Sequence, residues 1–379
     1  MLNPLSRAQL ETITLWYLVQ HSLSSFYKIS QHYAELAHAL QPDQVPVWQA
    51  LGLHANHVQR LKEFYLPEAQ QKFQRCLQQI QQDSDFILLH SDPHYPQQLH
   101  PYADKPPIIF GQGRSDTLLQ AQIAIVGSRK PSPHGRQVAY DFAFYLSEQG
   151  FYINSGLAYG IDEAAHRAAL QHQGTIAVMA TGLDQTYPAQ HQSLRQQIIE
   201  HDGAVISEFL PDTLPLQHHF PRRNRIVSGL SLGVIVAEAA LKSGSLITAK
   251  LAAEQGKTVF AIPGHIYSEH HQGCHQLIRE GAILIDHPQQ VIEELALATQ
   301  WQALENTPKL EVAAAESQQI PPHLLSLYNQ LDWVGQTLDQ LGTQVQQEVS
   351  ALTSQLMELE LLGFCTQQAG LYLRCRILK

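Results

Sequence analysis

The stretch FPRRNRIVSGL, Phe220 to Leu230, places Arg222, Arg223 and Arg225 within four positions, beside an aromatic ring and a proline. Guanidinium groups are planar forks of donors that match phosphate oxygens, and they are costly to bury without partners. One such arginine reads as a carboxylate's buried partner; three together read as an anion site. Asn224 adds an amide among them, and Phe220 adds a flat face on which a base can stack. A second stretch, EAALKSGSLITAK (238–250), sets Ser243, Gly244 and Ser245 at the start of an expected helix. Amides and hydroxyls at a helix start are suited to phosphate. Lys242 stands at its mouth and Thr248 one turn on. From Pro221 to Lys250 there are five basic residues (Arg222, Arg223, Arg225, Lys242, Lys250) against one acid, Glu238, in a chain whose net charge is −10. A basic patch on an acidic body suits a selective anion site better than general adhesion to polyanions.

Three further loops carry glycines. In VGSRKPSPHG (126–135), Gly127 and Ser128 allow a close turn after a strand, and Arg129 projects from it. The pattern is neither GxGxxG nor the P-loop, so neither a dinucleotide nor ATP is indicated. In NSGLAYGIDEAAHRAAL (154–170), Ser155 and Gly156 follow a strand, and Asp162 and Glu163 suit the first turn of a helix. His166 has no nucleophile spaced to use it as a base. ATGLDQTYP (180–188) reads as turn residues with a shaping Tyr187-Pro188 pair. PGHIYSEHHQGCHQLI (263–278) is dense in histidine, yet matches no zinc spacing and reads as a loop covering the site. No catalytic residue, metal or cofactor is expected.

The elements that must position these residues are legible as alternating patterns. IAIVGS, FYIN, TIAVMA, AVISEF, LGVIVAEA, TVFAIPG and AILI are short apolar runs, separated by amphipathic stretches such as GRQVAYDFAFYLSEQG and SLITAKLAAEQG. Strand and helix alternation of this kind predicts βαβ units and a doubly wound, Rossmann-like parallel sheet. Ligands of such sheets sit outside the carboxyl ends of the strands, where every glycine loop above falls. Residues 1–82 read as a helical domain, 83–297 as the sheet domain, 298–318 as a linker leading to Pro321-Pro322, and 319–379 as a small terminal domain. The 379 residues, 44% hydrophobic and 15% charged, supply ample core. No apolar run is long enough to span a membrane, and the opening MLNPLSRAQLETITLWYLVQHS lacks the pattern of a signal peptide. Cys76, Cys274, Cys365 and Cys375 show no CxxC spacing, so a reducing, cytoplasmic setting is expected.

The motifs VGSR, SGLAYGID, GLD..YP, ISEF, FPRRNRIVSGLS, VAEA, SGSLITA and IPG, in that order, resemble the DprA/Smf family, the DNA-processing protein A of natural transformation. The likeness is close over about 92–290, and LDQL…LMELELLGFCTQQAGLYLRC (338–375) resembles the winged-helix domain at the C-terminus of many members. The resemblance implies a non-catalytic, cytoplasmic homodimer. Such a protein binds single-stranded DNA, protects incoming strands and loads RecA recombinase past single-strand-binding protein. It further implies that Arg129, Arg222, Arg223, Arg225 and Lys242 meet the DNA. It places self-association around Leu277, Ile278 and Ile283. The family's N-terminal domain is sterile-alpha-motif-like and sometimes carries a glycine hairpin that touches DNA. HSLSSFYKISQHYAEL has no such glycine pair. Residues 319–379 carry three basic residues (Arg374, Arg376, Lys379) against five acids (Asp332, Asp339, Glu348, Glu358, Glu360), which suits protein contacts better than duplex reading.

Two other functions compete. A Rossmann-like sheet with strand-end glycines and cations could be a nucleotide-binding phosphoribohydrolase-like enzyme, with Glu238 as acid or base. That family's PGGxGTxxE signature is replaced here by LKSGSLITAKLAAE, and no second carboxylate stands at useful spacing. A duplex-binding transcription factor would need a basic recognition helix, which the acidic C-terminal domain lacks.

Overall fold

The structure is a computed structural model that describes residues 4–172, 174–296, 321, 323–331, 336–345, 347–362, 364–368 and 371–374. The proposed linker 298–318 lies outside the described residues. Two compact units divide at Gln300.

The first unit opens with six helices, α1 (Arg7–Leu18), α2 (Leu23–His32), α3 (Leu36–Ala39), α4 (Val45–Ala50), α5 (Ala55–Glu63) and α6 (Pro67–Asp83). Ser6 caps α1 in a capping box with Gln9, and Pro67 starts α6 at a position where its missing N–H costs nothing. A nine-stranded sheet follows: β1 (Phe86–Leu89), β2 (Ile108–Gly113), β3 (Gln122–Val126), β4 (Tyr152–Ser155), β5 (Thr175–Val178), β6 (Ala204–Ser207), β7 (Gly233–Val236), β8 (Thr258–Ala261) and β9 (Ile283–Leu284). The spatial order is β1-β2-β6-β5-β4-β3-β7-β8-β9. Strands β3 to β9 pair in parallel as expected. The sequence patterns did not predict the antiparallel β1–β2 extension on one edge.

Strand β3 shows why the sheet is covered on both faces. Ile123 and Ile125 pack into the cluster formed with α7 (Pro133–Glu148) and α8 (Ile161–Ala169). Ala124 and Val126 point the other way, towards α10 (His219–Leu230) and α11 (Ser245–Glu254). An uninterrupted apolar strand is what a doubly covered parallel sheet needs. Helix α9 (Gln192–Glu200) contributes Leu194 and Ile198 to a third cluster. That cluster runs without a break from Trp16, Phe26 and Trp48 of the N-terminal helices to Ala177 and Val205 of β5 and β6. The Trp16 indole N–H also donates to the Glu208 carbonyl, 2.8 Å away. The helical segment and the sheet therefore share one core.

The second unit has helices over Leu325–Gln330, Leu338–Val345 and Val349–Leu361 and an antiparallel pair, Cys365–Gln368 with Leu371–Arg374. Leu327, Tyr328, Leu341, Leu352, Leu356 and Phe364 form its core. This is the make-up of a small winged helix.

Candidate nucleic-acid interface

From β3 the chain winds through β4, β5 and β6 to one side of the sheet, and β7 to β9 then build the other. The winding direction therefore reverses between β3 and β7, and the loops leaving their carboxyl ends splay apart, which opens a crevice. A cavity of about 770 Å³ lies there. Its walls include Gly127, Ser128 and Arg129 after β3, Gly156 after β4, and Phe220, Arg223 and Asn224 from α10. Lys242, Ser243, Gly244, Ser245 and Thr248 close it from the β7–α11 side. Three residues expected at the site are not among its walls: Ser155, Arg222 and Arg225.

The loop after β3 is pinned by Glu238. Its carbonyl accepts the Ser128 N–H at 2.8 Å, and its fully buried carboxylate accepts the Ser132 N–H at 2.9 Å and the Ser132 hydroxyl. Ser132 in turn caps α7 by accepting the Gly135 N–H at 2.9 Å. Gly127 is required by close approach: a Cβ there would stand 2.6 Å from Ile161 and 2.8 Å from the Glu238 carbonyl. Arg129 leaves this fixed loop exposed, its guanidinium carbon 4.9 Å from the centre of the Phe220 ring. Arg129, the adjacent Lys130 and Lys242 are all exposed and make no ion pair among the described residues. These three supply the unneutralised charge of the cavity rim.

The FPRRNR arginines are placed otherwise than their residue types suggested. Arg222 and Arg225 both clamp the fully buried Glu208, through N–O distances of 2.9 and 3.0 Å for Arg222 and 2.7 Å twice for Arg225. Arg222 also lies over Trp16 and Phe209, and Arg225 donates to the Asp104 carbonyl. Burial pushes the Glu208 carboxyl upward, but Arg225 and Arg222 outweigh it and hold it at about 2. Arg223 is buried as well; it donates to the Gly156 and Val178 carbonyls and forms the cavity floor. Burial lowers its guanidinium to about 10, against the attraction of Asp162. Of the three arginines expected to meet DNA, Arg222 and Arg225 are taken up by Glu208, and Arg223 alone lies in the cavity wall. Their partners come from Glu208, the residue that follows β6, and from strand-end carbonyls, which no local spacing reveals.

The remaining expected residues divide by depth. Ser155 ends β4 with its hydroxyl donating to the Ile125 carbonyl at 2.7 Å, so it ties strands together beneath the cavity. The Ser243 and Ser245 hydroxyls are hydrogen-bonded to each other at 2.7 Å beside Gly244, the residue before α11. Thr248 is buried one turn on. Asp162, read in the sequence only as a helix-dipole partner, accepts the Gly156 and Ala158 N–H groups at 3.0 and 3.3 Å, and burial raises its carboxyl. It thereby shapes the β4 loop around Leu157, whose φ is +58°. Sequence reasoning passed over Lys130 and Tyr159 and read Tyr187 only as a shaping residue. Tyr187 stands 5.6 Å ring to ring from Phe220, and with Tyr159 it lines a small annexe beside Arg129. Their signal was present: a second cation beside Arg129, and aromatic residues in strand-end loops.

His166 is fully buried against Thr175, with burial lowering its imidazole to about 3, and it does not reach the cavity. Residues 263–278, expected to cover the site, are not among the cavity's walls either. Instead His270 and His271 approach Glu238 to 3.6 and 3.9 Å, and Ile266 and Tyr267 stand out from the surface. Leu277 and Ile278 on α12 (Gln272–Arg279) and Ile283 on β9 are half-buried against the core. They lie at the edge of the sheet, where Leu284 is 49% exposed. No helix among the described residues is long and apolar enough to cross a membrane.

The family model described as DNA recombination-mediator protein A matches residues 86–296, and that of the DprA winged helix domain matches 311–370. Protein Smf of Escherichia coli (strain K12) is 38% identical over 364 residues, covering 94% of each chain. The DNA processing protein DprA of Streptococcus pneumoniae is 48% identical over 204 residues, 54% of this chain and 72% of that one. An X-ray structure of the S. pneumoniae protein superposes with a TM-score of 0.63 at 35% identity, covering 78% of this chain and 99% of that one. The DNA processing protein A of Helicobacter pylori, studied for its single-stranded DNA binding mode, superposes with a TM-score of 0.51 at 31% identity, covering 56% and 96%.

Proposed function

Because this chain belongs to the DprA/Smf family, we propose that it binds single-stranded DNA in the crevice between β3 and β7, protects it, and loads RecA recombinase onto it in natural transformation and homologous recombination. The observation that carries this reading is the rim: Arg129, Lys130 and Lys242 stand exposed, without ion pairs among the described residues, around a cavity with a stacking face at Phe220. Rim cations that meet phosphates give binding that ignores sequence. Phe220, Tyr187 and Tyr159 favour unpaired bases, whose faces are open. The floor, by contrast, holds Arg223 and Asp162 in bonds to the chain itself, and the Glu238 carboxylate is occupied by Ser132, which disfavours a phosphoribohydrolase. We read the protein as non-catalytic and cytoplasmic.

The assembly proposed is a homodimer through the β9 edge, with Leu277, Ile278 and Ile283 behind the contact. Two grooves on one long strand would raise avidity wherever the strand spans both. The domain limits proposed are 1–82, 83–297 and 319–379, the first two sharing one core and the winged helix turned to protein partners. The test is RecA filament growth on strands already covered by single-strand-binding protein, with and without this protein. Faster nucleation on single strands, with no enhancement on duplex, is expected. No acceleration would remove the loading role, and a single-protomer mass in sedimentation would remove the dimer.

A further inference from the structure

A second cavity, of about 910 Å³, lies in the same unit, between α6 of the helical segment and the loop that follows β6. Arg60, Lys72 and Arg75 line it, against a single carboxylate, Asp212. Lys72 and Arg75 are exposed, lie one turn apart on α6, and make no ion pair among the described residues. Arg60 is fixed: it donates to the Tyr17 and Leu18 carbonyls at 2.8 and 3.2 Å and lies over the Tyr17 ring at 4.5 Å. No carboxylate pairs with it among the described residues, so its charge adds to the wall.

The loop leading into α10 separates this cavity from the first, and it shows one face to each. Leu214 and Leu216 turn towards the second, while the intervening Pro215 and Gln217 turn towards the first. At the start of α10, His219 lines the second cavity and Phe220 the first. Leu214 and Leu216 are 58% and 46% exposed, an apolar crest over which an unpaired base can lie. A chain that leaves the first cavity beside Phe220 thus meets a low apolar wall and then a second set of cations. Gln78 and Gln82 on α6 add amides able to donate to or accept from any base edge.

We propose that the second cavity is a continuation site for the same single strand, in which Lys72 and Arg75 take phosphates beyond the Phe220 end of the first cavity. The inference rests on the function proposed above and extends it to a segment in which the sequence motifs pointed to no DNA contact. An acidic peptide would also suit three cations, but the apolar crest and the continuity with the first cavity favour a nucleic-acid strand.

The test compares the wild type with a Lys72→Ala, Arg75→Ala variant on oligonucleotides of about 6 and about 20 nucleotides, which bracket single-site lengths. A Lys28→Ala, Lys62→Ala variant removes equal charge from the same helical segment outside the cavity. The groove variant should bind the long oligonucleotide about tenfold more weakly at moderate salt, and its salt slope should flatten by about 1.4. The short oligonucleotide and the control variant should be unaffected. Equal loss on both lengths, no loss on the long one, or equal loss in the control overturns the proposal. So does an acidic peptide whose binding is lost in the groove variant while DNA binding stands still. If the wild type binds the short oligonucleotide without any gain from length, only the second site falls; if it binds neither, the function falls with it.

Discussion

At Arg225 the chemistry suggested by residue type and the chemistry found in place diverge. Its guanidinium is bonded on both arms to Glu208 within the protein, and Glu208 is completed by Arg222. Removing one member leaves a buried carboxylate short of a partner, so Arg225→Ala should cost about 3–5 kcal/mol in urea unfolding. Loss of DNA affinity in that variant should follow loss of fold. The same group sets part of the acid limit. Glu208 is held at about 2 in the folded state against about 4.3 unfolded. Its contribution is therefore complete above about pH 4.3 and fades as pH falls towards 2. His21 and His166 act earlier. Burial holds both near 3, so the unfolded chain takes up their protons first, and stability falls as pH drops from about 6.5 towards 3. His21 also accepts the Leu210 N–H through Nε2, a bond that protonation breaks. The urea midpoint should decline steadily below about pH 6.5 and more steeply below about 4.3. A flat profile between pH 6.5 and 3 would mean that these histidines are not buried as described.

Elements place the rim cations through backbone contacts. The turn carrying Arg129 is held between the Glu238 carbonyl and the start of α8, where the Ile161 N–H donates to the Ser128 carbonyl at 3.2 Å. Gly160 makes that approach possible: its φ is +82°, and a Cβ there would stand 2.4 Å from the Ser128 carbonyl oxygen. Gly150, with φ +91°, has the same backbone need but nothing within 4 Å of its missing Cβ. Both Gly→Ala changes should cost about 1–3 kcal/mol of stability. Gly160→Ala should in addition weaken single-strand binding at temperatures where it remains folded, whereas Gly150→Ala should leave binding unchanged. Equal affinity in the two variants would show that the Ser128–Arg129 turn needs no such support.

For the whole molecule, much of the scaffold was legible and less of the site. Apolar runs followed by glycine marked β3, β4, β5 and β8, because a strand covered on both faces permits little else. Those same glycines located the strand-end loops, and so the cavity. The antiparallel β1–β2 edge carried only the short runs FILL and IIF, which do not show how the strands pair. The partnership of Glu208 with Arg222 and Arg225 joins residues 14 and 17 positions apart through tertiary packing, which no periodicity encodes. The loops after β3 and β7, rather than the arginine-rich helix, therefore carry most of the usable charge. The most direct test measures affinity for a single strand and for matched duplex across a salt series, in the wild type and in Arg129→Ala, Lys130→Ala, Lys242→Ala. Three phosphate contacts contribute about −2 to the slope of log affinity against log salt. The wild type should prefer the single strand, and the triple variant should lose that affinity, flatten the slope by about 2 and keep its unfolding midpoint. Unchanged affinity and slope in the variant, or equal binding of duplex, would contradict the account.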